Sequence, residues 1–153
     1  MSKYYKLTFF RVCDSVIEMQ GVWKSYNEHS HALRDINVLV DRNEFVYLVG
    51  PSGAGKSTFM KLIYREVRPT KGQIFVNGFN LEKLKPRKIP YVRRNIGVIF
   101  QDFRLLPKLT VYENVAFALE VIEAPVRFIK KRTMEVLDLV GLPDKADSYP
   151  NQL

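Results

Sequence analysis

The chain has 153 residues, a length that fits one domain, and 24 lysines and arginines against 16 aspartates and glutamates leave a formal net charge of +8. A hydrophobic fraction of 46% excludes a disordered or collagen-like chain, and the single Cys13 excludes an intramolecular disulfide framework and a thiolate zinc site, so a reducing compartment is expected. No stretch approaches the roughly 18–20 uncharged apolar residues that span a bilayer, and with Arg11 interrupting the apolar start no signal peptide is expected.

Residues 17–24 and 32–40 alternate apolar and polar side chains, which predicts an antiparallel, half-exposed strand pair joined by the polar loop 27–31. Residues 45–49 (FVYLV) form a continuous apolar run, the pattern of a strand buried on both faces and central in a sheet. Phe59, Met60, Leu62 and Ile63 then recur at helical spacing over 56–65, and Pro69 ends that helix. A strand over 73–76 closes on the turn dipeptide Asn77-Gly78, and 96–100 reads as a second buried strand. Thr110 and Glu113 have the spacing of a capping box and open a helix over 111–123. Pro125 stands in the first turn of a further helix with the apolar stripe Val126, Ile129, Met134, Leu137 and Val140, ended by Gly141. Residues 142–153 form a polar, proline-containing tail, and the whole is an α/β chain.

One constellation dominates. Gly50, Pro51, Ser52, Gly53, Ala54, Gly55, Lys56 and Ser57, followed by Thr58, satisfy G-x-x-x-x-G-K-[ST]. The glycines let the backbone curl so that successive N–H groups converge on one concavity, and a helix starting near Lys56 aims its positive dipole end there. Such a cradle holds phosphate oxygens, with Lys56 at the β- and γ-phosphates and the Ser57 hydroxyl on Mg²⁺. Chance produces the pattern in roughly one unrelated chain of this length in two hundred, and its place between an apolar strand pattern and a helical one lowers that further. The alternative, a glycine-rich turn beside a surface lysine, is a minor one.

The order of motifs from Ile17 to Leu153 resembles the nucleotide-binding subunits of the ATP-binding cassette (ABC) family. They run from an antiparallel pair ending in Lys24-Ser25-Tyr26 through the phosphate loop, residues 69–74 (PTKGQI), 99–101 (IFQ) and 110–115 (TVYENV). Residues 45–49 and 93–107, above all 101–106 (QDFRLL), resemble the cell-division branch, the FtsE proteins, whereas related lipoprotein-release and macrolide-export ATPases usually have Asn at the position of Arg104. The resemblance implies a P-loop NTPase fold with an antiparallel β-subdomain, an incomplete parallel-sheet core and a helical subdomain.

It also implies ATP and Mg²⁺ as cofactors, Tyr26 stacking on adenine, and Gln101 meeting Mg²⁺ and the attacking water, so that Lys56 and Gln101 are the catalytic pair. The alternative for Tyr26 is an ordinary strand-end tyrosine, with Trp23 a weak rival that reads better as a packing residue, and from the residues alone Gln101 is only a polar group after an apolar run. The implied partners are an FtsX-like integral membrane protein, contacted through residues 103–109, and a second copy arranged head to tail. Other division proteins are conceivable partners and no nucleic acid is expected. The setting is the cytoplasmic face of the bacterial membrane, and the activity is ATP hydrolysis coupled to control of cell-wall hydrolases. A lipoprotein-release or macrolide-export subunit, or a nucleotide-binding fragment that does not hydrolyse, is the alternative.

Two departures from the family pattern matter. The Leu-Ser-Gly-Gly signature would begin at Leu153, and the later Asp-Glu strand and switch histidine have no counterpart. The 153 residues alone are therefore expected to be a poor ATPase with incompletely covered apolar runs. Residues 1–15 precede the resemblance and read as an extension upstream of an initiator at Val16, leaving 16–153 as a partial nucleotide-binding domain.

The charge is uneven. Residues 61–95 hold ten basic side chains against Glu66 and Glu82, a local +8, which fits polyanions or a solvated face, and the lack of an interleaved set of stacking aromatics favours the solvated face for most of them. His29 and His31 read as surface histidines in place of a metal pair, and Met134 as part of a packed helix stripe.

Overall fold

A computed structural model describes residues 15–27 and 30–153. Cys13, His29 and all of the proposed extension but Ser15 lie outside the described residues. The chain divides into two compact units, Met1–Gly97 and Val98–Leu153.

In the first unit, strand β1 (Ser15–Asn27) pairs antiparallel with β2 (Ser30–Asp41) on one side and β3 (Lys71–Val76) on the other. The Asn77-Gly78 turn, left-handed at both residues, returns β3 into the short β4 (Phe79–Asn80), giving the order β2-β1-β3-β4. This is the expected antiparallel opening. The alternation of β1 slips between Met19 and Val22, both buried, because the register shifts there as in a β-bulge. Gly72 of β3 approaches the bulge so closely, at φ 89°, that a Cβ would strike the carbonyl oxygens of Gln20 and Gly21.

Helix α1 (Lys56–Ile63) covers the inner face of this sheet with Leu62 and Ile63, against Met19, Val22, Leu33 and Ile74. A single turn, Pro86–Lys88, leads into α2 (Ile89–Arg93), which adds Val92 to the same core. Each such side chain contributes about 1.5–3 kcal/mol by leaving water.

The two apolar runs expected as buried parallel strands are corrected. Residues 45–49 and 96–100 pair with no strand among the described residues, and every ladder present is antiparallel. Phe45 is 81% exposed, Val49 84% and Ile99 98%. A strand apolar on both faces is stable only with strands beside it and layers above and below, and the described residues supply neither. The expectation of uncovered runs is what the structure shows.

The second unit is helical. Its first helix, α3 (Val111–Val121), is capped reciprocally: Thr110 Oγ1 accepts from Glu113 N–H at 3.2 Å, and Glu113 Oε2 accepts from Thr110 N–H at 2.7 Å. The tail is less loose than its composition implies, for it folds back over this end. Val111 N–H donates to Ser148 O at 2.8 Å and Tyr112 N–H to Ala146 O at 2.9 Å, filling two amides a helix start leaves open. Helix α4 (Val126–Leu139) follows Pro125 and stops before Gly141 at φ 74°. Its buried stripe is Ile129, Thr133 and Leu137, a clean i, i+4 series, while Met134 is partly buried and Val126 and Val140 stand in solvent. No helix among the described residues is long and apolar enough to cross a membrane.

Candidate functional site

The loop from Gly50 to Gly55 is built by local backbone chemistry. Ala54 N–H closes a turn on Pro51 O at 3.2 Å, and Gly53 and Gly55 are left-handed at φ 80° and 91°. At Gly55 no other residue fits: a Cβ would collide with the carbonyl oxygen of Ala32 in β2. Phe59 N–H then donates to Gly55 O at 2.8 Å and starts α1.

No side chain caps α1. Its first-turn amides, on Lys56, Ser57 and Thr58, are left to whatever acceptor enters, and the helix dipole makes an anion the preferred one. Lys56 lies across the loop, donating from Nζ to Gly50 O at 2.6 Å and Pro51 O at 2.7 Å. The cation is thus held within the cradle by two neutral acceptors.

An open cleft of about 430 Å³ results, walled by Tyr26 and Ala32 from the sheet, by Ser52, Gly53 and Gly55, and by Lys56, Ser57 and Thr58 of α1. Tyr26 is exposed, and its hydroxyl meets the buried Thr58 Oγ1 at 3.2 Å while Lys24 Nζ lies 5.0 Å from its ring centroid. Trp23 is turned elsewhere, edge-on to His31 at 5.8 Å, whose Nδ1 meets Ser25 Oγ at 2.6 Å. Its reading as a packing residue agrees with that contact. Among the described residues no group of three or more His, Cys, Asp or Glu is arranged to hold a metal.

The structure brings Tyr26 together with the loop residues and the start of α1. Gln101 belongs to the second unit, exposed on a turn whose Phe103 and Arg104 are left-handed at φ 54° and 49°. Arg104 Cζ sits 3.9 Å from the Phe100 ring centroid.

Sequence reasoning missed two positioning side chains. Arg93 reaches the far end of α1, donating from Nε to Tyr64 O at 2.9 Å and from Nη2 to Arg65 O at 3.2 Å, a cation at the negative end of the cradle helix. Arg65 itself is buried, gives its Nε–H to Leu81 O at 3.1 Å, and is held below the usual guanidinium range by burial, with Arg68 and Arg93 adding and Glu82 opposing. In the second unit Asn114 staples the turn after Gln101. Its Oδ1 accepts from Leu106 N–H at 2.8 Å and its Nδ2 donates to Leu106, Leu109 and Thr110 carbonyls at 2.9–3.1 Å. Its position four residues after a capping threonine is the one signal in the sequence that points to it.

A profile of the family described as ABC transporter matches residues 33–153. The cell division ATP-binding protein FtsE of Bacillus subtilis is 61% identical over 138 residues, covering 90% of this chain and 60% of that protein. FtsE of Streptococcus pneumoniae is 57% identical over 139 residues, covering 91% and 60%. The methionine import ATP-binding protein MetN of Helicobacter pylori is 46% identical over 138 residues, covering 90% and 42%. Among solved structures, the dimeric post-hydrolysis state of the ATP-binding cassette MJ0796 bound to ADP and Pi superposes with a TM-score of 0.79 at 32% identity, covering 90% of this chain and 62% of that one. The chain spans about 60% of the length of the FtsE relatives it matches.

Proposed function

This chain belongs to the ABC transporter family and has its P-loop cassette fold, and we propose that it is the ATP-binding part of a cell-division cassette driving an FtsX-like membrane protein. The uncapped start of α1, with the Lys56 ammonium resting in the same loop, carries the nucleotide-binding part of this reading. The residues fit a nucleotide triphosphate: the first turn of α1 has no side-chain cap, and Lys56 can exchange two neutral carbonyls for charged oxygens, a stronger acceptor.

In this reading the amides of residues 53–58 hold the β- and γ-phosphates, and Lys56 bridges them. Ser57 Oγ would hold Mg²⁺ on the cradle side, and the family resemblance assigns Gln101 to the metal and to the attacking water, which it would orient. Mg²⁺, when bound, neutralises phosphate charge and steadies the oxygens of the transferred group. Tyr26 offers its ring face to adenine while its hydroxyl, on Thr58, ties that ring to the cradle helix. Residues 16–153 then form part of a nucleotide-binding domain that pairs head to tail with a second copy. Hydrolysis is proposed for a cassette of the relatives' length. The subunit works at the cytoplasmic face of the membrane, meeting its partner's cytoplasmic helix through residues 103–109, where Phe103 is exposed.

The higher identity to FtsE than to MetN favours division over import. A short four-span membrane protein encoded beside this gene fits division, and an import permease there contradicts it. The cradle is tested by Lys56→Ala, which lowers affinity for a fluorescent Mg-nucleotide at least about tenfold if the charge-assisted contacts are as proposed. Unchanged affinity in the folded variant contradicts the assignment. For the partner, Phe103→Ala with Leu106→Ala releases the membrane protein in a pull-down while sparing nucleotide binding.

A further inference from the structure

Residues 83–94 carry Lys83, Lys85, Arg87, Lys88, Arg93 and Arg94 and no acidic side chain. They form the Pro86–Lys88 turn and α2, held to the core from beneath by Val92 and the partly buried Leu84. Arg93 is committed to the end of α1, and the other five cations are exposed. None of those five forms an ion pair among the described residues. Tyr91, 56% exposed, sits between two of them, with Lys88 Nζ 5.1 Å and Arg94 Cζ 5.3 Å from its ring centroid.

We propose that this turn is a docking surface for acidic phospholipid headgroups. A tyrosine flanked by cations, with its apolar ring half in water, has the makeup of an interfacial anchor beside a polybasic patch. Anionic lipids diffuse sideways to meet five irregularly spaced cations, whereas a duplex presents phosphates at fixed spacing and a single strand calls for free stacking faces, which the one ring here does not offer. The contrast with the other cationic stretch is informative. On α4, Lys131 and Arg132 of the Arg127–Arg132 group share the single carboxylate of Glu135, at 3.8 and 3.0 Å. The inference draws on the proposed function only for the place where such a surface is met, and the binding itself requires no nucleotide.

The test is co-sedimentation of the full chain, without nucleotide, with phosphatidylcholine vesicles containing or lacking phosphatidylserine. The expected result is binding to the anionic vesicles alone, weakening as salt rises. It falls at least about a hundredfold in the K83Q/K85Q/R87Q/K88Q variant, which keeps its Mg-nucleotide affinity. Neutralising Arg127, Lys130, Lys131 and Arg132 to glutamine leaves vesicle binding in place. Equal sedimentation with both vesicle types, none with either, or an equal loss in the α4 variant overturns the proposal. So does tighter binding to a single-stranded oligonucleotide that is abolished by the same four substitutions, which assigns the surface to nucleic acid.

Discussion

The two flanks of the phosphate loop have opposite fates. Upstream, residues 45–49 are as apolar as any strand in the molecule yet stand in solvent without a ladder, while downstream α1 is sealed to the sheet by Leu62, which is wholly buried. Both flanks are apolar in sequence, so apolar composition alone does not hold the cradle; burial against a partner does. The cradle is positioned from the helix side, by packing under α1, by the contact of Gly55 with Ala32, and by Arg93 at the far end.

That asymmetry orders the effects of substitution. Leu62→Ala opens a cavity under α1 and costs about 2–5 kcal/mol, seen as a lowered denaturation midpoint together with loss of nucleotide affinity. Gly55→Ala forces a left-handed alanine against Ala32 O, costing about 1–2 kcal/mol for the backbone alone, and calorimetric titration shows binding lost beyond what that instability explains. Arg93→Gln removes two bonds from the last carbonyls of α1 and costs about 1 kcal/mol, with affinity reduced less than by either change above. Thr110→Ala, in the other unit, costs about 1 kcal/mol by unmaking the capping box and leaves nucleotide affinity untouched. Val49→Thr, on the exposed flank, changes stability by less than about 0.5 kcal/mol, and a multi-kcal loss there breaks the comparison.

Local signals were legible in the sequence. The strand alternation, the Asn77-Gly78 turn, the Thr110/Glu113 box and the phosphate loop each depend on residues within a few positions of one another, and each appears where expected. The fate of residues 45–49 and 96–100 was not legible, because an apolar run states a preference for burial without saying what lies beside it. Thr133 entered the buried face of α4 because helical geometry places it between Ile129 and Leu137, against its polarity. Arg93 and Asn114 escaped notice because their partners are main-chain carbonyl and amide groups, which no sequence pattern marks.

The account rests on main-chain amides converging at the start of α1, and amide NMR of the isotope-labelled chain reads those groups one by one. Titration with Mg-ATP is predicted to shift the N–H resonances of Gly53, Gly55, Lys56, Ser57 and Thr58 more than any others. Saturable binding that leaves those five resonances in place contradicts it.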